Sequence, residues 1–171
     1  INEFQSKKVL KEIGLNVPKG FIIRDINSLV GKFRILKTTV ALKALGINHK
    51  TDVSAVSLGI DNEIELIDKF KVMKRLTNSE TFLIEHQINN VFVELLVGIV
   101  RDPQHGYMLT IGEGGILSEL RQDTITLCMP CNKSEIKAAL KKLRIWPLLS
   151  GYRNKKAVNV SKIVLAIFML Q

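Results

Sequence analysis

Two lysines and one histidine stand close together where a predicted strand passes into a polar loop. Residues 38–44 are mostly β-branched or apolar, which predicts a buried strand with Lys43 near its end. Gly46, His49 and Lys50 follow in the loop. Two ammonium groups and an imidazole suit phosphate, because they neutralise the charge that builds up during phosphoryl transfer. A solvated loop with a surface histidine is the alternative, and the spacing alone favours it.

A glycine-rich turn follows another predicted strand. Gly112, Gly114 and Gly115 come directly after Ile111, and glycine lets the backbone approach a ligand closely. The turn is not a Walker A loop, because no Lys-Ser/Thr pair closes it, and it lacks the spacing of a dinucleotide fingerprint. By itself, the turn is weak evidence for a ligand site.

Four acidic residues lie near these two regions. Glu85 and Glu94 flank the link between two predicted strands, and Glu94 alternates with apolar neighbours, so its side chain could face a cleft. Glu119 and Asp123 stand four residues apart and could converge on a cation. Two exposed acids beside Arg121 are the commoner arrangement, so these two are weak metal candidates.

The two cysteines give no clear function. Cys128 and Cys131 form a lone Cys-Met-Pro-Cys segment, and the further ligands that a structural zinc site needs do not follow at close spacing. A redox pair between a strand and a helix is possible from the spacing. Two incidental reduced thiols are the simpler interpretation.

The elements that must position these residues are a mixture of helices and strands. Apolar spacing predicts helices over 3–13, 26–33 and 160–170, and two further helices capped by Asp61 and Ser134. Strands are predicted over the following ranges: 21–23, 38–44, 53–60, 82–85, 93–100, 108–111 and 124–129. Several strands follow one another in hairpin order, which favours an α+β fold over a doubly wound sheet.

Composition limits the classes of partner. The chain has 171 residues with a formal net charge of +9, which indicates a polyanionic partner, either nucleic acid or a nucleotide or coenzyme A phosphate. The lysines are dispersed and aromatic residues make up only 6%, so nucleic acid is disfavoured. We found no apolar run of about 18 residues and no signal-peptide pattern, so we expect no membrane span and a cytoplasmic location.

Several segments, in the same order along the chain, resemble the nucleotide-binding lobe of NDP-forming acyl-CoA synthetases, the acetate–CoA ligase relatives of succinyl-CoA synthetase. These segments are residues 4–20, 41–46, 49–52, 55–60, 94–106, 111–119 and 147–153. The resemblance covers nearly all of the chain. It departs from the family at Ser54, Ser57, Glu113 and Asn154, and the loss of an arginine at Ser57 would weaken phosphate contact.

The resemblance implies a role for each candidate residue. Lys43 matches the lysine that contacts nucleotide phosphates, and Gly114 and Gly115 match the glycine turn near the phosphates. Lys50, which adjoins His49 in the sequence, would stabilise the phosphoryl group transferred there. His49 matches a histidine that takes phosphate from a partner phosphohistidine and passes it to ADP. Residues from Glu85 to Ile88 match the hinge strand that receives adenine, and Glu94 holds the acidic position on the next strand.

The resemblance also implies an ATP-grasp fold of two lobes, 20–85 and 86–171, with mixed or antiparallel sheets, flanking helices and an opening helix over 3–13. The implied reaction converts acyl-CoA, phosphate and NDP into carboxylate, CoA and NTP through acyl phosphate and phosphohistidine. The implied cofactors are ATP or ADP and Mg²⁺, with the Mg²⁺ ligands expected beyond Gln171 because the chain is shorter than the family domain. CoA-binding and ligase domains, in the same chain or in a separate subunit, are the expected partners. Neither nucleic acid nor a membrane is expected as a partner. A regulatory nucleotide-binding domain fused to a protein acetyltransferase, without ligase activity, is the alternative.

Overall fold

The computed structural model describes residues 1–47, 55–115, 118–153 and 156–171. Its helices are α1 (Glu3–Glu12), α2 (Ile26–Leu36), α3 (Glu63–Thr77), α4 (Ser118–Arg121), α5 (Lys133–Lys142), α6 (Trp146–Ser150) and α7 (Val160–Phe168). Its strands are β1 (Gly20–Ile23), β2 (Val40–Ala44), β3 (Val56–Ile60), β4 (Phe82–His86), β5 (Leu95–Asp102), β6 (Gly106–Glu113) and β7 (Thr124–Cys128). The chain divides into two compact units, Ile1–Asn89 and Asn90–Gln171.

The first unit contains a four-stranded sheet in the order β1-β4-β2-β3, and every neighbouring pair in it is antiparallel. Helices α2 and α3 bury their apolar stripes on one face of this sheet, because Leu29, Leu66 and Phe70 pack with the alternate residues of β2 and β4. The rings of Phe70 and Phe82 lie 4.7 Å apart, centroid to centroid, in a tilted contact. This packing leaves the opposite face of the sheet to carry polar side chains.

Asparagine and aspartate side chains begin the longer helices of this unit. Asn2 caps α1 in a capping box with Gln5, and Asp25 caps α2 in the same way with Ser28. The predicted cap of α3 is wrong: Asn62, not Asp61, accepts the hydrogen bond from the backbone N–H of Glu65. Both residues are good caps, so composition alone does not choose between neighbours.

The second unit contains an antiparallel three-stranded sheet in the order β5-β6-β7. Its core lies between one face of this sheet and α5, α6 and α7, with Leu109, Ile111, Ile136 and Leu140 fully buried. The predicted cap of α5 is also wrong, because Asn132 begins the helix two residues before Ser134. Helix α6, which was not predicted, has Pro147 in its first turn.

The predicted α+β arrangement of antiparallel sheets flanked by helices is confirmed. Within the described residues, no helix is both long enough and apolar enough to cross a bilayer.

Candidate functional site

Lys43 is the fourth residue of β2 and points away from α2 and α3. Its neighbours Leu42 and Ala44 belong to the apolar core against α2 and α3. Side chains alternate between the faces of a strand, so Lys43 lies on the opposite face. Glu85 lies on the same opposite face of β4, since its neighbour Ile84 is in the core. The register pairs Ala41, two residues before Lys43, with Glu85 and so brings the lysine and the glutamate together.

Four charged side chains meet on this face, and we call Glu3, Lys7, Lys43 and Glu85 the charge cluster. The Lys43 ammonium lies 2.6 Å from Oε1 of Glu3 and 2.8 Å from Oε1 of Glu85. The Lys7 ammonium lies 2.8 Å from the same Glu3 oxygen and 2.6 Å from Oε2 of Glu85. Positive and negative groups therefore alternate around the cluster, which contains two of each sign.

The charge cluster is largely withdrawn from water. The exposed fraction of the side chain is 4% for Glu85, about 20% for the two lysines and 24% for Glu3. Burial opposes the charge on Lys43, but hydrogen bonds to Glu3 and Glu85 outweigh it and raise the pKa of the Lys43 ammonium above its ordinary value. Lys43 is therefore a permanent cation in a fixed position.

Glu85 is held by close packing as well as by charge. A Cβ added at Gly20, its register partner on β1, would lie 2.8 Å from Cβ of Glu85 and 3.1 Å from the carbonyl oxygen of Ile84. A side chain at position 20 would therefore displace β4 or the Glu85 side chain. Gly20 is the residue that lets the Glu85 carboxylate lie over the sheet.

A cavity of about 410 Å³ adjoins the charge cluster and is bordered by both Lys7 and Glu85. Its apolar walls come from Phe4, Val17, Pro18 and Leu83, and its lysines are Lys7, Lys8, Lys11 and Lys19. This volume lies within the usual range for small-ligand sites, and the lining combines apolar surface with positive charge. Such a lining suits a flat apolar ring attached to an anionic group.

A larger cavity of about 780 Å³ lies between α2 and α3, bordered by Phe70, Lys71, Lys74 and Arg75. Its described lining includes none of the candidate residues. The candidate site therefore rests on the buried charges of Lys43 and Glu85 and not on cavity size.

Two predicted residues, His49 and Lys50, lie outside the described residues. Ile88 follows β4 in the segment that ends the first unit, and its side chain is exposed. The backbone N–H of Gln87, just before it, donates a hydrogen bond to the carbonyl oxygen of Thr39, which anchors the start of this segment.

Glu94, Gly114 and Gly115 come together in the second unit. The N–H of Gly114 donates a 2.8 Å hydrogen bond to the carbonyl oxygen of Glu94. Gly115 has a positive φ of 87°, and a Cβ there would lie 2.8 Å from Oε2 of Glu94. The closeness to Glu94 thus explains why both positions are glycine. Glu94 itself lies one residue before β5, so its predicted position within the strand is wrong.

Glu113 and Arg121 form an ion pair next to this turn, with 2.5 Å between Oε1 and Nη1. Glu94, Glu113 and the two turn glycines border a cavity of about 450 Å³ together with residues 91–93. The glycine turn of the second unit therefore opens onto a space with carboxylates on its wall.

The two weak metal candidates do not form a ligand set. Asp123 is buried, and its carboxylate accepts hydrogen bonds from the backbone N–H groups of Arg144 (3.0 Å) and Ile145 (3.2 Å), where α6 begins. Glu119 is exposed on α4. Over the four described ranges, no group of three or more His, Cys, Asp or Glu residues could hold a metal ion.

Residue types and spacing did not indicate Glu3 and Lys7 as site residues. Their separation of four residues on a predicted helix is the only sequence signal, and it indicates an ordinary helix-surface ion pair. Their contacts with Lys43 and Glu85 span 40 and 78 residues of sequence. A pattern of neighbouring residues in the sequence cannot indicate contacts over such separations.

Comparisons with known proteins show which family and which fold this chain resembles. A family model described as "ATP-grasp domain" matches residues 1–171. Subunit beta of acetate–CoA ligase (ADP-forming) II from Pyrococcus furiosus is 26% identical over 172 residues, covering 95% of this chain and 72% of that protein. Subunit beta of acetate–CoA ligase (ADP-forming) I from the same organism is 27% identical over 168 residues, covering 92% and 72%.

A solved structure is similar over almost the whole chain. Dinucleotide-forming acetyl-coenzyme A synthetase 1 from Ca. Korarchaeum cryptofilum, in complex with coenzyme A, Ca-AMPCP and HgCl+, superposes with a TM-score of 0.90 at 25% identity. The match covers 99% of this chain and 77% of that one. The fold of the described residues is therefore that of a known nucleotide-bound enzyme.

Proposed function

Since this chain belongs to the ATP-grasp domain family, we propose that it is the nucleotide-binding part of an NDP-forming acyl-CoA ligase of the acetate type. In this proposal it carries phosphate between a phosphohistidine and ADP or ATP. The similarity to the two Pyrococcus furiosus ligase subunits supports the reaction class. The observation that carries the proposal is the position of Lys43, a half-buried, positively charged ammonium on the sheet face opposite α2 and α3.

Lys43 binds the phosphate tail of the nucleotide in this proposal. An ammonium held by a buried carboxylate loses little side-chain entropy when a ligand arrives, because its position is already fixed. The low exposure of the site also strengthens its attraction for an anion. These two properties distinguish Lys43 from the exposed lysines of the same unit.

The cavity beside the charge cluster takes the nucleobase. Its walls of Phe4, Val17, Pro18 and Leu83 offer apolar contact to a planar ring, and its volume of about 410 Å³ suits a nucleoside. Both the cavity and Lys43 border Glu85, so a base and its phosphates reach both at once. The hinge from Glu85 to Ile88 supplies backbone contacts in the same proposal.

His49 is the proposed phosphoryl carrier, on the family resemblance alone. The neutral imidazole attacks the phosphorus of a partner phosphohistidine, so that one P–N bond breaks and another forms at His49. The terminal phosphate oxygen of ADP then attacks the same phosphorus, the P–N bond at His49 breaks, and ATP forms. Lys50 neutralises charge on the transferred group in both steps.

The second unit contributes further proposed nucleotide contacts through Glu94, Gly114 and Gly115. The backbone of Gly114 and Gly115 lies close to Glu94, and the Glu94 carboxylate lies next to the turn at Gly115. The roles proposed here for these residues concern nucleotide binding. CoA-binding and ligase domains, in the same protein or a partner subunit, supply the acyl chemistry.

Calorimetric titration with ADP tests the proposal. We expect binding by the wild-type protein and at least a tenfold weaker affinity for Lys43→Ala, about the value of one charge-assisted phosphate contact. Lys69→Ala is the matched control, because it removes one ammonium from the exposed surface of α3 and should leave the affinity within about twofold. Absence of ADP binding by the wild type, or equal loss in both variants, would overturn the proposal.

A further inference from the structure

The larger cavity of the first unit lies where α2 begins and α3 ends, and we call it the α2–α3 cavity. Its volume is about 780 Å³. Since α2 and α3 cover the sheet face opposite Lys43, this cavity and the charge cluster lie on opposite sides of the sheet. The proposed function does not use the cavity, so its lining needs a separate explanation.

Three cations and one acid stand among the described residues that border the α2–α3 cavity. The cations are Lys71, Lys74 and Arg75, all exposed on the last two turns of α3, and the acid is Asp25. Asp25 has a role in the fold, because its carboxylate accepts a 2.8 Å hydrogen bond from the backbone N–H of Ser28 and so caps α2. Three positive charges against one negative charge leave an excess of two, which suits a doubly charged anion.

The two helix ends at the cavity carry opposite partial charges. The first turn of α2, with Ile26 and Asn27, has the partial positive charge of a helix N-terminus, which favours an anion. The last turn of α3 has the partial negative charge of a C-terminus, and Lys74 and Arg75 lie in it. Because each end corresponds to about half a charge, the two ends nearly cancel and the side chains decide the sign of the cavity.

The α2–α3 cavity also offers apolar surface. Ile26 is 36% exposed at its border, and Phe70 lies at its inner wall but is almost fully buried, so Ile26 provides most of this surface. The volume is within the usual range for small organic ligands, and an inorganic phosphate alone would fill only a small part of it. Space therefore remains for an apolar group beside the anion.

We propose that the α2–α3 cavity is a second anion site, separate from the nucleotide site, and that it binds a phosphate monoester with an apolar group. A phosphate monoester carries a charge of about −1.5 to −2 near neutral pH, which matches the excess positive charge, whereas a monocarboxylate would neutralise only half of it. The phosphate lies between Lys74 and Arg75, where the guanidinium can donate two parallel hydrogen bonds. The apolar group packs on Ile26.

An NMR titration of the backbone amides with phenyl phosphate tests the site. At constant ionic strength we expect saturable shifts at Ile26, Asn27 and Asn78, with a dissociation constant below about 1 mM. Inorganic phosphate should bind at the same amides at least about threefold more weakly, because it lacks the ring. Lys43→Ala lies on the other side of the sheet and should leave the affinity for phenyl phosphate at these amides within about twofold of the wild-type value.

Two matched double variants test the cations. Lys74→Gln with Arg75→Gln should weaken the binding of phenyl phosphate at least about fivefold, because the phosphate loses both of its charged donors. Lys141→Gln with Lys142→Gln is the control: it removes the same charge from the last turn of α5, where both lysines are exposed, and the affinity should change by less than about twofold.

Equal weakening in the two double variants would overturn the second anion site, as would the absence of saturable shifts at the α2–α3 amides or their loss in Lys43→Ala. Since phenyl phosphate and ADP are titrated separately, binding of one without the other shows which of the two proposals fails.

Discussion

The ammonium of Lys43 lies 2.8 Å from a carboxylate oxygen of Glu85, although the two residues are 42 positions apart in the sequence. The contact exists because β4 lies between β1 and β2 in the sheet, so that β2 and β4 are hydrogen-bonded neighbours. This pair is the fixed part of the charge cluster. Its strength should be measurable in the stability of the protein.

The first prediction concerns Lys43 and alkaline pH. The folded-state pKa of Lys43 is raised, so its contribution to stability is full below the ordinary lysine pKa and is lost as the pH rises through the folded value. At neutral pH, Lys43→Met should lower the free energy of unfolding by about 1–2 kcal/mol, because both Glu3 and Glu85 lose a cation that they contact.

Denaturant unfolding of both proteins from about pH 7 to about pH 11 measures this difference, and it should shrink above about pH 10.4. A difference that grows with rising pH would contradict the direction of the pKa shift.

The second prediction concerns the packing of Gly20 against Glu85. Gly20→Ala should destabilise the protein by about 1–3 kcal/mol, because the new Cβ would overlap Cβ of Glu85 and approach the backbone of Ile84. Gly31→Ala is the matched control in the interior of α2, where an added Cβ meets nothing within 4 Å. That control should be stabilised by about 0.5–1 kcal/mol through its higher helix propensity. Thermal unfolding of both variants measures the two changes in stability. Equal changes would contradict the proposed packing of Gly20 against Glu85.

The third prediction separates two reasons for a glycine at position 115, a positive φ and the nearby Glu94 side chain, by comparison with Gly106 at the start of β6. Gly106 and Gly115 both have positive φ, 77° and 87°, but only Gly115 faces another side chain, the Glu94 carboxylate. Both Ala variants should lose about 1 kcal/mol from backbone strain, and Gly115→Ala should lose a further amount of about 1 kcal/mol or more from the displaced carboxylate. Chemical denaturation gives both values. A larger loss for Gly106→Ala would show that Glu94 does not lie over the turn.

The fourth prediction assigns Asp123 a structural role. Asp123→Asn should destabilise the second unit by about 1–3 kcal/mol, because an amide has one oxygen, so one of the two backbone N–H groups before α6 loses its acceptor and the other keeps an uncharged one. Glu119→Gln, on the exposed side of α4, should change stability by no more than about 0.5 kcal/mol. The two unfolding free energies are compared at the same pH. If Asp123→Asn leaves the free energy of unfolding unchanged, the structural role is wrong and Asp123 is again a candidate cation ligand.

The strands and the candidate lysine could be predicted from the sequence because their signals are local. Apolar runs and alternation locate β2, β4 and β6 to within two residues at most of their ends, and Lys43 lies on β2 as predicted. The family resemblance predicted that the glycine turn lies near the nucleotide phosphates. The closeness of Gly114 and Gly115 to Glu94 explains why glycine stands at both positions.

The charge cluster could not be predicted because it depends on the order of the strands. Glu85 reaches Lys7 and Lys43 only when β4 lies between β1 and β2, an order that the sequence of the elements does not give. The predictions of two helix caps were wrong for a simpler reason. Asp61 and Asn62 have nearly equal capping preference, and Asn132 begins α5 although Ser134 is also a good cap.

The most direct measurement is a crystal structure of the protein grown with ADP. The account predicts a phosphate oxygen within about 3 Å of Nζ of Lys43, with the Glu85 carboxylate still in place beside it. Phosphates bound away from Lys43, with its ammonium still between Glu3 and Glu85, would contradict the central claim.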